Sequence, residues 1–170
     1  MLFRSELLKK MAFMRNFGYN GPSDFEEVGI NGKNSELHAA MGLANFRYVN
    51  EILATRKIQS LRYDKWLDRI HNQRIEIKAG SEFNYAYYPL ILNNEGTTLK
   101  VIKELESNKI SPRRYFYPSL NTVDLYKSDV LPVSESVSKR IICLPLYHTL
   151  SNEEIDFISR IILRAITYSS

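Results

Sequence analysis

"VGINGKNSELHAAMGL", Val28 to Leu43, begins as a loop and turns into a helix. The seam between them is unusually polar: Asn31, Gly32, Lys33, Asn34, Glu36 and His38 precede an apolar run. A helix start needs one capping side chain, so polar groups are left over. Either the seam is a solvated helix entrance or its side chains meet a ligand.

Downstream of the seam, Leu37, Ala40, Met41, Ala44, Val49, Ile52, Leu53, Ile58, Leu61, Trp66 and Ile70 recur at helical spacing. No Gly or Pro interrupts the tract between Leu43 and Ile70. The pattern predicts a helical spine from Asn34 to His71, divided near Asn50. Ala39, Ala40, Gly42 and Ala44 keep its first turns small, which permits another backbone to approach. Upstream, Ser5 to Asn16 reads as a short amphipathic helix with Leu7, Leu8, Met11 and Met14 on one side. Ser5 is placed to cap it and Gly18 to end it. Gly18 to Asn34 then holds four Gly and one Pro. Structureless loops of that length are uncommon in compact domains unless they carry function.

The second half changes character. "FNYAYYPLIL", Phe83 to Leu92, is dense in aromatic and β-branched residues and predicts a strand. Thr97 to Ser107 predicts a helix with Val101, Ile102 and Leu105 inward. "ISPRRYFYPSL" reads as strand and loop, and "RIICLPL" as a short buried strand. In the final helix Ser151 and Glu154 form a capping box, with Leu150 and Ile155 as the hydrophobic staple. The expected class is α/β, and the order strand–helix–strand–strand–helix implies a sheet with helices on one face. The expected organisation is an N-terminal helix and loop over 1–34, a spine over 35–80 and a small α/β domain over 81–170.

Composition narrows the function classes. The 170 residues are 44% hydrophobic and 25% charged, which suits a soluble globular chain able to bury a core. The formal charge of +4 comes from 23 basic and 19 acidic residues spread along the sequence, without the basic block of a nucleic-acid binder. Cys143 is the single cysteine, so neither a disulfide framework nor a cysteine metal site is expected. No apolar stretch approaches the roughly 20 residues of a membrane span. The N-terminus lacks a signal-peptide core, and the expected address is cytoplasmic.

A self-contained active site is missing from the pattern. "GINGKNS" has neither Walker nor dinucleotide spacing. His38, His71 and His148 lack ligand-spaced partners, so no metal is expected. Glu26-Glu27 reads as loop solvation, and Glu153-Glu154 as charge favoured by the helix macrodipole. No residue of this chain is assigned a catalytic role.

The segments "RNFGYNG", "VGINGKNSELHAAMGLANFRYVNEILATRK", "YYPLIL", "ISPRRYFYPSLN" and "CLPLYHTLSNEEI" together resemble the C-terminal half of the DegT/DnrJ/EryC1/StrS family. These are aminotransferases that use pyridoxal phosphate and act on nucleotide-linked keto sugars. The resemblance runs from about Leu2 to Ile166. It implies the C-terminal part of a fold-type I aminotransferase and a place in amino-sugar synthesis for lipopolysaccharide or a similar polysaccharide. In the family, the Asn of the Gly-x-Asn loop reaches across a homodimer interface to the cofactor phosphate. That position is Asn31, with Lys33 adding charge where relatives more often carry Arg. The bland alternative is that Asn31 and Asn34 shape turns and cap the helix.

Arg114, Tyr115 and Tyr117, beside Arg113, offer guanidinium and aromatic faces suited to the sugar nucleotide. Tyr115 and Tyr117 fit equally well as half-buried strand residues. A His that many relatives place after the Pro here is absent, since the segment reads Pro118-Ser119-Leu120.

The family's Schiff-base lysine, the Asp for the pyridinium nitrogen and the ring-stacking aromatic correspond to positions upstream of Met1. Lys9 and Lys10 do not match. The resemblance therefore implies a chain that binds no pyridoxal phosphate and transfers no amino group by itself. The implied partner is a second copy or a complementary N-terminal chain. A non-catalytic dimerisation module derived from the family is the alternative.

Overall fold

The computed structural model describes residues 2–32, 35–70, 75 and 77–167. Two compact units emerge: Met1–Arg47 with Tyr117–Pro132, and Tyr48–Phe116 with Val133–Ser170.

The first unit contains α1 (Leu2–Met14) and α2 (Glu36–Phe46), joined by a loop that is tightly hydrogen-bonded to itself. Helix α1 is already running at Leu2, so Ser5 is not its cap. Its end is a left-handed turn. Phe17 takes φ 59° and Gly18 φ 83°, and the Gly18 N–H reaches back to the Phe13 carbonyl at 2.8 Å. Ser35 caps α2, accepting the His38 N–H at 3.4 Å and pairing with its ring Nδ1 at 2.8 Å. Glu36 sits in the first turn, where the helix dipole favours a negative charge. Ser35, Glu36 and His38 thus account for much of the polar seam by helix capping alone. None of the described apolar side chains of this unit is buried.

The second unit holds the core. Helix α3 (Val49–Leu67) follows the break at Arg47 and Tyr48. The expected division near Asn50 therefore falls slightly earlier. Its buried face is not the one the apolar spacing suggested. Gln59, Ser60, Tyr63 and Leu67 are buried, while Ile58 and Leu61 stay 63% and 50% exposed. Gln59 earns its interior place by donating from Nε2 to the Tyr147 and Leu150 carbonyls, each at 2.8 Å. The Tyr63 hydroxyl donates to the Pro145 carbonyl at 3.0 Å, and burial raises its pKa well above the usual phenol.

Strand β1 (Tyr88–Ile91) pairs antiparallel with β2 (Ile141–Leu144), with Tyr88 opposite Leu144 and Ile91 opposite Ile141. The extended segment expected over Phe83 to Leu92 is shorter because Tyr85 turns to φ 49° and because β2 offers only four partners. The expected third strand is reduced to one bridge, between Arg113 and Cys143. Cys143 spends both backbone groups on Arg113, at 2.7 and 3.1 Å. Its pairing with Pro89 is then a non-hydrogen-bonded one, the position where a residue without an N–H fits.

Helix α4 (Glu95–Ser107) is capped by Asn94, whose Oδ1 accepts the Thr97 N–H at 2.8 Å. It buries Thr98, Val101 and Leu105 at helical spacing. Helix α5 (Pro132–Arg140), absent from the sequence reading, starts on a Pro, as a first helical turn allows. Helix α6 (Asn152–Thr167) buries Ile155, Ile158, Ser159, Ile162 and Ala165. The expected capping box is present: the Ser151 N–H meets Glu154 at 2.8 Å and the Glu154 N–H meets Ser151 Oγ at 3.2 Å. Leu150 and Ile155, the expected staple, are both buried in the same core. That core joins the β1–β2 ribbon to α3, α4 and α6 on one side.

Candidate functional site

In the first unit, the long loop folds back against the end of α1. Ile30 N–H bonds the Met14 carbonyl at 2.7 Å, Phe17 N–H bonds Ile30 at 3.0 Å, and Gly32 N–H bonds Arg15 at 2.8 Å. Asn31 pairs with Asn16 in an isolated antiparallel bridge. Two glycines make the approach possible. A Cβ at Gly29 would lie 2.2 Å from the Gly18 nitrogen, and one at Gly18 only 1.6 Å from the Glu27 carbonyl oxygen. Phe17, Tyr19, Phe25 and Tyr126 brace the loop by ring contacts of 4.5 to 6.2 Å. The outcome is an exposed Asn31 on a backbone pinned from both sides. Lys33 and Asn34 lie outside the described residues.

In the second unit, strand alternation sorts the residues that surround Arg113. Side chains two apart along a strand share a face. Tyr87 and Pro89 of the β1 segment, Ile141 and Cys143 of β2, and Tyr115 beyond Arg113 line one cleft of about 450 Å³. Phe83, Phe116 and Leu61 also border it. Tyr87 and Tyr115 stand 5.2 Å apart, ring to ring. Their hydroxyls are hydrogen-bonded, which raises the Tyr87 pKa above the ordinary phenol value, with the like charge of Tyr115 adding to the effect. Burial pushes the Cys143 thiol up to about 11, so it is protonated and unreactive near neutrality.

Arg113 and Arg114 part company here. Arg113 is exposed, with its guanidinium carbon 5.8 Å from the centre of the Tyr115 ring. Arg114 is half-buried, and its Nη2 donates to Glu95 at 3.3 Å and to the Lys139 carbonyl at 3.2 Å. Tyr115 lines the cleft and Arg114 does not. Tyr117 falls in the first unit, as does Asn31. The sequence reading missed Tyr87 and Phe83, although the aromatic density of "FNYAYYPLIL" was the available signal.

The profile of the DegT/DnrJ/EryC1/StrS aminotransferase family matches residues 3–163. The chain belongs to that family. It is 30% identical over 161 residues to a dTDP-4-amino-4,6-dideoxy-D-glucose transaminase of Escherichia coli, covering 88% of this chain and 43% of the relative. Its fold matches the aminotransferase TlmJ from Streptoalloteichus hindustanus with TM-score 0.70 at 21% identity, over 95% of this chain and 45% of the other. A family aminotransferase from Brucella abortus matches with TM-score 0.66 at 25% identity, over 94% and 43%. The family member described here thus spans less than half the length of the relatives it matches.

The family depends on pyridoxal phosphate, and of the residues expected to hold it only Asn31, an exposed amide able to donate to a phosphate oxygen, is among the described residues. An exposed amide on a loop locked by Gly18 and Gly29 is a donor that an anionic phosphate oxygen can reach without reordering the backbone. The lysines of α1 are engaged elsewhere: Lys10 pairs with Glu27 at 2.9 Å and Lys9 lies over the Phe13 ring at 5.7 Å. Among the described residues, no cluster of His, Cys, Asp and Glu could hold a metal, and no helix is long and apolar enough to cross a membrane.

Proposed function

We propose that this chain supplies the C-terminal portion of an aminotransferase acting on a nucleotide-linked keto sugar, with glutamate as amino donor. The observation that carries the reading is the family match across residues 3–163, joined to relatives whose names specify a dTDP-sugar transaminase. Pyridoxal phosphate supplies the electron sink for moving the amino group when it is bound. Asn31 and Lys33 of this chain hold its phosphate, and Arg114, Tyr115 and Tyr117 border the sugar nucleotide. The product serves amino-sugar synthesis for a surface polysaccharide in the cytoplasm.

The 170 residues do not run this chemistry by themselves, because covalent capture needs a lysine activated by its surroundings. Lys9 and Lys10 have other partners. The partner is polypeptide corresponding to the part of the relatives that this chain does not match, in a homo-oligomer or as a complementary chain. The first unit favours such a partner, since none of its described apolar side chains is buried. The three expected divisions, 1–34, 35–80 and 81–170, are the cofactor loop, the spine and the substrate-facing domain of the assembled enzyme.

Spectroscopy tests the reading. The chain mixed with pyridoxal phosphate should show no aldimine absorbance and no turnover. Supplying a chain that carries the unmatched part should produce both, with a thymidine-diphosphate keto sugar and glutamate as substrates. A borohydride-reducible adduct on one lysine of the chain alone would overturn it.

A further inference from the structure

The loop that presents Asn31 is tied to the end of α1, where Ile30 and Gly32 donate to the carbonyls of Met14 and Arg15. Its outer half closes on itself instead. Tyr19 and Phe25 form an antiparallel bridge with their rings 4.5 Å apart, and the Asn20 N–H meets the Asp24 carbonyl at 2.9 Å. A lone two-stranded hairpin is marginal in water. A ring from a remote segment meets this one: Tyr126 stands edge-on to Phe25, with centroids 5.8 Å apart and planes at 86°. No described apolar side chain of this unit is buried, so ring contacts between half-buried residues take the place of a core there.

Tyr126 sits on a segment with a fixed shape of its own. It ends a short 3-10 turn, Asp124–Tyr126, and its N–H bonds the Val123 carbonyl at 2.8 Å. Below that turn lie two buried polar residues, Ser119 and Asn121, 6% and 7% exposed. Ser119 Oγ donates to Asn121 Oδ1 at 2.6 Å, and Asn121 Nδ2 donates to the Asp129 carbonyl at 3.2 Å. The Ser128 N–H reaches the Asn121 carbonyl at 3.3 Å. Polar groups satisfied in this way rigidify a segment without an apolar core. The ring of Tyr126 is therefore offered to Phe25 from a backbone that is already ordered.

We propose that Tyr126 is a positioning residue for Asn31. This rests on the reading above in which Asn31 holds the cofactor phosphate. Tyr126 braces Phe25, Phe25 lies on Tyr19, and Tyr19 meets Phe17 edge-on at 6.2 Å. The Phe17 N–H in turn bonds the carbonyl of Ile30, the neighbour of Asn31, at 3.0 Å. The row of four rings thus runs from the Ser119–Asp129 segment to the backbone that aims the amide. A donor ordered beforehand loses less freedom when it binds, and so holds its anion more tightly. Tyr117 begins the stretch that carries Tyr126, so the residue assigned to the substrate and the residue that braces the cofactor loop share one short segment of chain.

Hydrogen exchange on the 170-residue chain tests the bracing. Tyr126→Ala should speed exchange at the Ile30 and Gly32 amides roughly fivefold, on the scale of one aromatic pair. Phe25→Ala, which removes the other ring, should do the same. Tyr126→Phe keeps the ring and should leave both amides at the unaltered rate. Amides of α6 in the second unit should stay protected throughout, which reports that the variants fold. With the polypeptide that corresponds to the unmatched part of the relatives added, Tyr126→Ala should weaken retention of pyridoxal phosphate by the same roughly fivefold factor, and Tyr126→Phe should not. Combined with Asn31→Ala, Tyr126→Ala should add little further loss, because the ring acts through Asn31.

Unchanged exchange at Ile30 and Gly32 in Tyr126→Ala overturns the positioning role. So does an equal loss of retention by Tyr126→Ala with and without Asn31, the mark of a general structural effect. In both cases the proposed function stands. A joined enzyme that retains no pyridoxal phosphate with Tyr126 intact removes the proposed function and the positioning role together.

Discussion

Arg113 and Arg114 are neighbours in the chain, yet one lies on an aromatic ring at the open face of the sheet and the other is tied to Glu95. The period of two along an extended backbone separates them. Arg114→Ala should therefore lower unfolding stability by about 1 kcal/mol, the scale of one partly exposed ion pair with a carbonyl contact. Arg113→Ala should change it by less than about 0.5 kcal/mol, as for an exposed side chain. Urea midpoints of the two variants check the contrast, and equal midpoints would refute it.

The meeting of Gly18 and Gly29 yields a second expectation. An added Cβ at Gly29 would fall 2.2 Å from one backbone nitrogen and 2.5 Å from the Met14 oxygen. Neither atom belongs to a flexible side chain, so the loop must open. Gly29→Ala should cost at least about 2 kcal/mol locally and expose the segment from Asn16 to Ile30 to proteolysis. Gly42→Ala, where nothing lies within 4 Å, serves as the control and should leave cleavage unchanged.

How much of this was legible differs by element. The caps were, because Ser151 and Glu154 carry a local signature that needs no tertiary context. The inward face of α3 was not. Gln59 and Ser60 are polar, and only distant carbonyls at Tyr147 and Leu150 make a buried Gln59 tolerable. Helix α5 escaped notice because "PVSESVSKR" buries only Ser138 and shows no apolar stripe. The family resemblance pointed to Asn31, whereas the aromatic cleft joins residues from Ser60 to Cys143 that no spacing rule connects.

A pH dependence follows from the bond between α3 and α6. Arg62 donates to both oxygens of Asp156, at 2.7 and 2.5 Å, and Trp66 Nε1 donates to Oδ1 at 2.7 Å. The Arg62 hydrogen bond, helped by Trp66 and opposed by burial, holds the Asp156 carboxyl below its ordinary pKa. Its stabilising effect is then complete above the unfolded value of about 4. The effect fades as pH falls through the depressed folded value. Asp156→Asn should melt several degrees lower than the unaltered protein at pH 7, and the gap should narrow progressively below pH 4. Trp66 is the only tryptophan, so its fluorescence follows both the bond and the unfolding. A gap independent of pH would refute the assignment.

Hydrogen exchange should separate the two units. In the second, Ile155, Ile158 and Ile162 of α6 pack with Val101 and Leu105 of α4 in one buried core. Amides there open only with the whole unit. In the first, α2 has no buried residue, and Leu37, Leu43 and Phe46 are 74–76% exposed. A helix this short, about three turns, is marginal in water without packing. Its amides should exchange orders of magnitude faster than those of α6 in the chain alone. Adding the polypeptide that corresponds to the unmatched part of the relatives should slow α2 exchange and let pyridoxal phosphate be retained. Asn31→Ala should then weaken retention roughly tenfold, the scale of a hydrogen bond to a charged oxygen, without altering the protection of α2. Equal protection of α2 with and without the added polypeptide would show that these apolar side chains are covered in some other way.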